Sequence, residues 1–210
     1  MNLSGKNWYP KKLSVHEKGD IKVINNLKTI YTKNQKFTYA EFGIYKGATA
    51  YNVLEEFPNA RVYLFDFEKT LQKAKVRLAQ FEDRVIYHGN SMAYLDSYNW
   101  SLTSYLGKNR NNLFDYVFID GSHVWAIDAL TFMLCDLLLK EKGYIDFDDV
   151  DWTIRNSSLD PKKVRLTKKM YTTEQIDSQQ VLLILDLLVR PSKRYLEVVE
   201  DKVFMKTKSV

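Results

Sequence analysis

Apolar residues recur at Ile21, Ile24, Leu27 and Ile30, the spacing of a helix with one buried face. Residues 18–34 are therefore expected to form an amphipathic helix. Beyond it the pattern alternates. Short apolar runs rich in β-branched and aromatic residues occupy 37–42, 61–66 (RVYLFD), 84–88, 114–120 (FDYVFID) and 144–148, and read as strands. The run over 114–120 is the clearest strand buried on both faces. Segments 48–57, 71–81, 92–106 and 124–141 read as the helices between them. The last is expected to end in Lys140, Glu141 and Lys142, a cationic turn followed by Gly143 as the left-handed cap. Five strands separated by helices imply right-handed crossovers and a parallel sheet.

The ends of the chain depart from this rhythm. Residues 1–16, with Trp8 and Tyr9 before Pro10, read as loop, and 107–112 as a basic, Asn-rich turn. Residues 151–171 are polar and basic, a loop of the length that usually covers a site. Thr172 and Gln175 form a capping-box pattern before a helix over 173–189. Two further strands, 195–199 and 203–206, are joined by Glu200-Asp201-Lys202 and suit an antiparallel pair on the sheet edge. The expected fold is α/β, a doubly wound, mostly parallel sheet with an antiparallel C-terminal edge hairpin. Residues 1–36 form an N-terminal helical extension and 37–210 one domain.

Composition narrows the classes. With 210 residues, 45% of them hydrophobic, the chain can build a sizeable core, and eight Gly and four Pro are too few for a fibrous repeat or a long linker. The apolar stretches 124–139 and 181–189 are broken by Asp128, Asp136 and Asp186, so neither reads as a membrane span. Residues 1–12 lack the apolar core of a secretory signal, and the single Cys135 has no intrachain partner; both point to a reducing, cytoplasmic setting. The net charge is +5, mostly of interleaved sign, except for Arg155 to Lys169 and Arg190, Lys193 and Arg194. The basic stretch 155–169 is either a solvated loop or a contact to an anionic acceptor. Ile176, Val181, Leu182, Leu185 and Leu188 face either the sheet or a second copy of the chain.

Ligands of open α/β sheets bind at the carboxyl ends of the strands. Here all five ends carry polar or small residues: Glu41-Phe42-Gly43-Ile44-Tyr45-Lys46-Gly47, then Asp66, then Gly89-Asn90-Ser91, then Asp120-Gly121-Ser122-His123, then Asp148-Asp149. The first turn lacks the dinucleotide G-x-G-x-x-G pattern. Tyr45 stands where the middle glycine would admit a pyrophosphate, which disfavours nicotinamide binding. Asp66, 23 residues after Gly43, is placed to accept the two hydroxyls of a ribose.

The order EFGIYKG, LFDF, HGNS, FDYVFIDGSH and GYIDFDD, over residues 37–151, resembles the class I S-adenosylmethionine-dependent methyltransferases, whose sheet is Rossmann-like. Within them, IDGSH followed by the acid pair is similar to the metal-dependent O-methyltransferases of the macrocin and mycinamicin sugar branch. The resemblance implies that Glu41, Gly43 and Gly47 hold the methionine end of the cofactor, Asp66 its ribose, and Phe67, Asn90 and Ser91 its adenine, with Asp120 close by. It implies Asp120, Asp148 and Asp149 as ligands of Mg2+ or a similar cation, and His123 as general base beside Asp120. Hard carboxylate oxygens on neighbouring strands suit magnesium, and an imidazole three residues past Asp120 suits proton transfer near neutral pH.

The expected activity is methyl transfer to a hydroxyl of a small polar acceptor, such as a sugar or sugar phosphate. Two other readings stay open. One is a nucleic-acid methyltransferase, disfavoured because Asp120-Gly121-Ser122-His123 replaces the Asn/Asp-Pro-Pro-aromatic loop of base N-methylation. The other is a cofactor-binding protein of the same fold without catalysis. Trp125 and Trp152 flank the proposed site, as an acceptor wall or as packing.

Overall fold

The computed structural model describes residues 19–93, 95–107 and 112–208. The loop expected over 1–16 and most of the turn expected over 107–112 lie outside them. Among the described residues seven strands form one sheet: β1 (Thr38–Phe42), β2 (Arg61–Phe67), β3 (Val85–Asn90), β4 (Phe114–Ile119), β5 (Leu139–Phe147), β6 (Tyr195–Val199) and β7 (Val203–Lys206). Their order is β3-β2-β1-β4-β5-β7-β6. β1 to β5 run parallel, while β7 pairs antiparallel with β5 and β6 antiparallel with β7. The doubly wound sheet with its antiparallel edge is thus as expected. The order reverses between β1 and β4, the place where such sheets open a crevice.

Helices cover both faces. On one side lie α1 (Ile21–Ile30), α2 (Ala48–Glu56) and α3 (Glu68–Leu78), packed with Tyr39, Leu64, Tyr116 and Phe118. On the other lie α4 (Tyr98–Leu106), α5 (Trp125–Leu138) and the later helix α8 (Gln180–Ile184), packed with Phe42, Phe65, Val117 and Phe147. Removal of each such aromatic side chain from water contributes about 1.5–3 kcal/mol. Val181, Ile184 and Leu185 thus face the sheet. Cys135 is buried in this layer and free. Among the described residues no helix is long and apolar enough to cross a membrane.

The helix expected over 18–34 is shorter. Asp20 caps it by accepting from Lys22 N at 2.7 Å and Val23 N at 3.4 Å, and Tyr31 leaves the helix to stack on Phe37 with ring centroids 4.1 Å apart. The helix expected over 92–106 begins only at Tyr98. Before it, Asp96 accepts from Ser91 N at 2.6 Å and Ser97 caps Asn99 N, so short polar side chains hold the backbone in turns.

The largest correction concerns 124–141. α5 stops at Leu138, and Leu139 already pairs with Phe114 in β5. Lys140 is a strand residue whose Nζ lies 2.8 Å from Asp115 Oδ2. The register shifts between Phe114 and Tyr116, and Lys142 takes a left-handed φ of 63°. Gly143 serves this bulge rather than a helix cap: a Cβ there would lie 2.8 Å from Lys140 O. The helix expected over 173–189 also breaks. The capping box of Thr172 and Gln175 opens α7 (Thr173–Asp177), following a short α6 (Thr167–Met170). Buried Gln180 then restarts the chain, accepting from Trp125 N at 2.7 Å and donating to Gln175 O at 2.7 Å.

β3 contributes a pH-sensitive residue. His88 stacks on Phe65, with ring centroids 4.6 Å apart, and its Nε2 lies 2.5 Å from the Tyr105 hydroxyl. Burial lowers its pKa from 6.5 to about 4. The unfolded chain then binds the extra proton, so this contribution is present above pH 6.5 and is lost as pH falls toward 4. The thermal midpoint is expected to drop less between pH 7 and 4.5 in His88→Phe than in the native chain; equal drops would remove His88 as the cause.

Candidate active site

The carboxyl ends of β1, β4 and β5 meet at the switch point. The first turn is closed by glycine: Gly43 has φ 81°, and a Cβ there would sit 2.0 Å from Asp120 O. Only glycine lets the β1 turn lie against the β4 turn. Gly47, at φ 68°, precedes α2 with a Cβ position 3.1 Å from Ala74 Cβ. Glu41 is buried beneath this turn and accepts from Tyr39 Oη at 3.0 Å. Burial pushes its pKa up to about 8 even though the Tyr39 bond acts the other way.

Asp66, at the end of β2, receives Ile44 N at 2.8 Å on one oxygen and Phe67 N at 2.6 Å on the other. It therefore ties the glycine turn to β2, and each oxygen retains a lone pair for a ligand hydroxyl. Phe67 is 41% exposed and lies in register with Asn90 on β3. Asn90 is buried, and its Oδ1 has no hydrogen-bond partner. An orphaned acceptor beside an exposed ring fits a planar heteroaromatic ligand that carries an N–H donor. Ser91 is used differently: its N–H goes to Asp96, and its hydroxyl accepts from Ala93 N at 3.1 Å.

His123 follows β4 in a left-handed conformation, φ 56°, and Asp149 follows β5 at φ 50°. Non-glycine residues take this region at a cost of order 1 kcal/mol or more, and such strain gathers at functional sites. The two turns face each other. His123 Nε2 lies 3.7 Å from Asp120 Oδ1 and 3.7 Å from Asp149 Oδ2. Its Nδ1 is buried without a partner, and Trp152 stands beside the ring with centroids 5.3 Å apart. Trp125, by contrast, opens α5. Burial, then the neighbouring carboxylates Asp148, Glu41, Asp149 and Asp20, push the Asp120 carboxyl up to about 9.

Sequence reasoning passed over three residues that shape this place. Asp128, on α5, accepts from Tyr98 Oη at 2.7 Å, Ser122 Oγ at 3.1 Å and His123 N at 2.7 Å, clamping the turn that carries His123. Lys202, from the β6–β7 connection, places Nζ 2.9 Å from buried Asp146 Oδ1, 3.4 Å from Asp148 Oδ1 and 3.7 Å from Asp20 Oδ2. Asp146 also accepts from the Tyr116 hydroxyl. Asp20 caps α1 and adds its charge near Asp120. Asp120 and Asp149 thus share one imidazole, while Asp148 shares Lys202. Among the described residues no group of three or more His, Cys, Asp or Glu is arranged to hold a metal ion.

The strand order, the antiparallel edge and the crevice at the strand ends define the class I S-adenosylmethionine-dependent methyltransferase fold. Solved structures share it. A caffeoyl-CoA-type O-methyltransferase of Staphylococcus aureus superposes with a TM-score of 0.59 at 16% identity, covering 89% of this chain and 84% of that one. An S-adenosylmethionine-dependent methyltransferase of Methanococcus maripaludis gives 0.52 at 16% identity, over 90% and 83%. MycE of the mycinamycin biosynthetic pathway, solved with Mg, S-adenosylhomocysteine and mycinamycin VI, gives 0.56 at 16% identity. The match covers 90% of this chain and 48% of MycE, so the chain spans about half of that protein's length. No protein-family model matches the sequence, and no curated protein matches it significantly.

Proposed function

We propose that this chain is an S-adenosylmethionine-dependent O-methyltransferase acting on a hydroxyl of a small polar acceptor such as a sugar or sugar phosphate. One observation carries the reading: the strained turns after β4 and β5 bring His123 Nε2 between Asp120 and Asp149, at the strand ends beside the glycine turn. The bound cofactor would supply an electrophilic methyl group on its sulfonium. Glu41, Gly43 and Gly47 would enclose its methionine end and Asp66 its ribose. Phe67 and the unpaired Asn90 Oδ1 would meet its adenine, with Ser91 shaping the turn beside them. His123 takes the acceptor hydroxyl's proton at Nε2. With the cofactor bound, its methyl group would pass to that oxygen, the S–CH3 electron pair staying with sulfur. Fixing both reactants in line supplies much of the rate.

A divalent cation, Mg2+ first among them, fits the donor chemistry. Asp120, Asp148 and Asp149 offer hard oxygens; burial first, and then the crowding of carboxylates, raises Asp120, and a cation would relieve that crowding. Bound there, it would orient the acceptor hydroxyl and lower its pKa. Lys202 holds Asp148 and Asp146 on the β5 side of that place.

Calorimetric titration with S-adenosylhomocysteine tests the cofactor half. The native chain is expected to bind, and Asp66→Ala to bind at least about tenfold more weakly, the loss of one or two charge-assisted hydrogen bonds. Added magnesium is expected to change the binding heat in the native chain and not in Asp149→Ala. No binding to a folded native chain would overturn the proposal.

A further inference from the structure

The stretch 155–169 contains Arg155, Lys162, Lys163, Arg165, Lys168 and Lys169 against the single acid Asp160, a surplus of five that equals the net charge of the whole chain. The remainder of the protein carries no net charge, so this one segment holds the whole surplus. The segment is built rather than loose. Ser157 Oγ donates to Ile154 O at 2.9 Å, and Lys163 Nζ donates to Ser157 O at 2.9 Å. Arg155 is forked onto Asp177, with Nε at 2.7 Å from one oxygen and Nη2 at 3.2 Å from the other.

Between this segment and α7 lies a cleft of about 290 Å³, lined by Arg155, Pro161, Lys168, Tyr171, Thr173 and Ile176. Arg155 is spoken for by Asp177. Lys168 makes no ion pair or hydrogen bond among the described residues, so it is the cation left to a ligand. The floor connects to the candidate active site through one apolar cluster: Ile176 packs with Val124 and Ile154, and Trp152 and Tyr171 pack against them. Trp152 in turn flanks the His123 ring. Trp152 N also donates to Asp149 O at 2.9 Å, so the segment is hinged directly on the turn that faces His123.

We propose that this cleft seats an oxyanionic group, a phosphate or a carboxylate, on the methyl acceptor, with Lys168 as its charged contact and Arg155 fixed by Asp177 at its wall. The acceptor is then an anionic polyhydroxy compound whose hydroxyl reaches His123 past Trp152. The inference rests on the O-methyltransferase reading for what the bound compound undergoes, while the binding itself stands on the cleft alone. Compounds of this kind are products of phosphoryl transfer to a sugar or of oxidation of its primary alcohol.

Binding of glucose 1-phosphate, glucuronate and glucose to the full chain, followed by calorimetry or ligand-observed NMR, tests it. One or both of the anions is expected to bind, identifying phosphate or carboxylate as the group, and neutral glucose is not. Lys168→Glu is expected to weaken the anion about tenfold or more, the scale of a lost hydrogen bond between charged groups. Lys73→Glu, the same charge change on exposed α3, is expected to leave it unchanged. Both variants are expected to bind S-adenosylhomocysteine like the native chain. Equal weakening by the two variants, no binding of either anion, or tight Lys168-dependent binding of a single-stranded oligonucleotide in place of the sugars would overturn the proposal. Lys168-dependent anion binding by a chain that ignores S-adenosylhomocysteine would keep the cleft and remove the methyltransferase reading.

Discussion

His123→Ala is expected to slow methyl transfer about 10²- to 10⁴-fold, the range supplied by a positioned proton acceptor, with S-adenosylhomocysteine affinity unchanged. His123 faces the two carboxylates with its imidazole. Its side chain is 14% exposed, wedged by Trp152, with Nε2 placed between the carboxylates of Asp120 and Asp149. The backbone is held separately, because Asp128 takes the His123 N–H and both ends of Ser122. Truncating the ring therefore removes the proposed proton acceptor and leaves the turn. Transfer of a labelled methyl group in single-turnover mode reads the chemical step. His123→Gln, which can accept a hydrogen bond yet cannot carry the proton away, is expected to stay within about tenfold of His123→Ala. A His123→Ala variant within about threefold of native, well short of the general-base range, would assign the proton to another group.

Much of this site was legible along the chain because a parallel sheet writes its crevice in one dimension. Each strand is an apolar run, and polar residues in or just past its last positions mark the carboxyl end: Glu41, Asp66 and Asn90 lie in the last two positions of β1, β2 and β3, and Asp120 and Asp149 lie just past β4 and β5. What stayed hidden depends on partners distant in sequence. Asp128 looks like an interruption of an apolar helix until Tyr98, thirty residues upstream, is seen to donate to it. Lys202 looks like a turn residue between two strands. Only the antiparallel pairing of β7 with β5 carries it to Asp146 and Asp148.

The misread elements have a similar origin. Lys140, Glu141, Lys142 and Gly143 satisfy the local grammar of a helix end, yet Leu138 and Leu139 are both fully buried and the sheet takes the second of them. Tertiary pairing with Phe114 overrides a cap that is worth only a fraction of a kcal/mol to about 1 kcal/mol. Ser91 has a local role that the motif does not reveal. Its position beside Asn90 suggests a ligand contact, and Asp96 and Ala93 lie close enough in the chain to engage its N–H and its hydroxyl as well.

Asp128→Ala is expected to be the most destabilising of these changes, by about 3–4 kcal/mol, since each buried donor left unpaired costs about 1–3 kcal/mol. The carboxylate is 1% exposed and serves the Tyr98 hydroxyl, the Ser122 hydroxyl and the His123 N–H at once. Tyr98 is itself buried and stands against Gly121, where a Cβ would come within 2.1 Å of its Oη, so little room exists for water to replace the lost acceptor. Urea unfolding measures the loss. Asp128→Asn keeps one acceptor oxygen and the shape of the side chain, and its amide N–H can donate to the Tyr98 oxygen, so it is expected to recover about half of the loss. The same clamp holds His123 at a positive φ that the free chain avoids. Asp128→Asn is therefore expected to lose turnover out of proportion to stability while still binding S-adenosylhomocysteine. A native-like rate in a measurably destabilised Asp128→Asn would show that the left-handed turn does not depend on this carboxylate and that Asp128 serves the core alone.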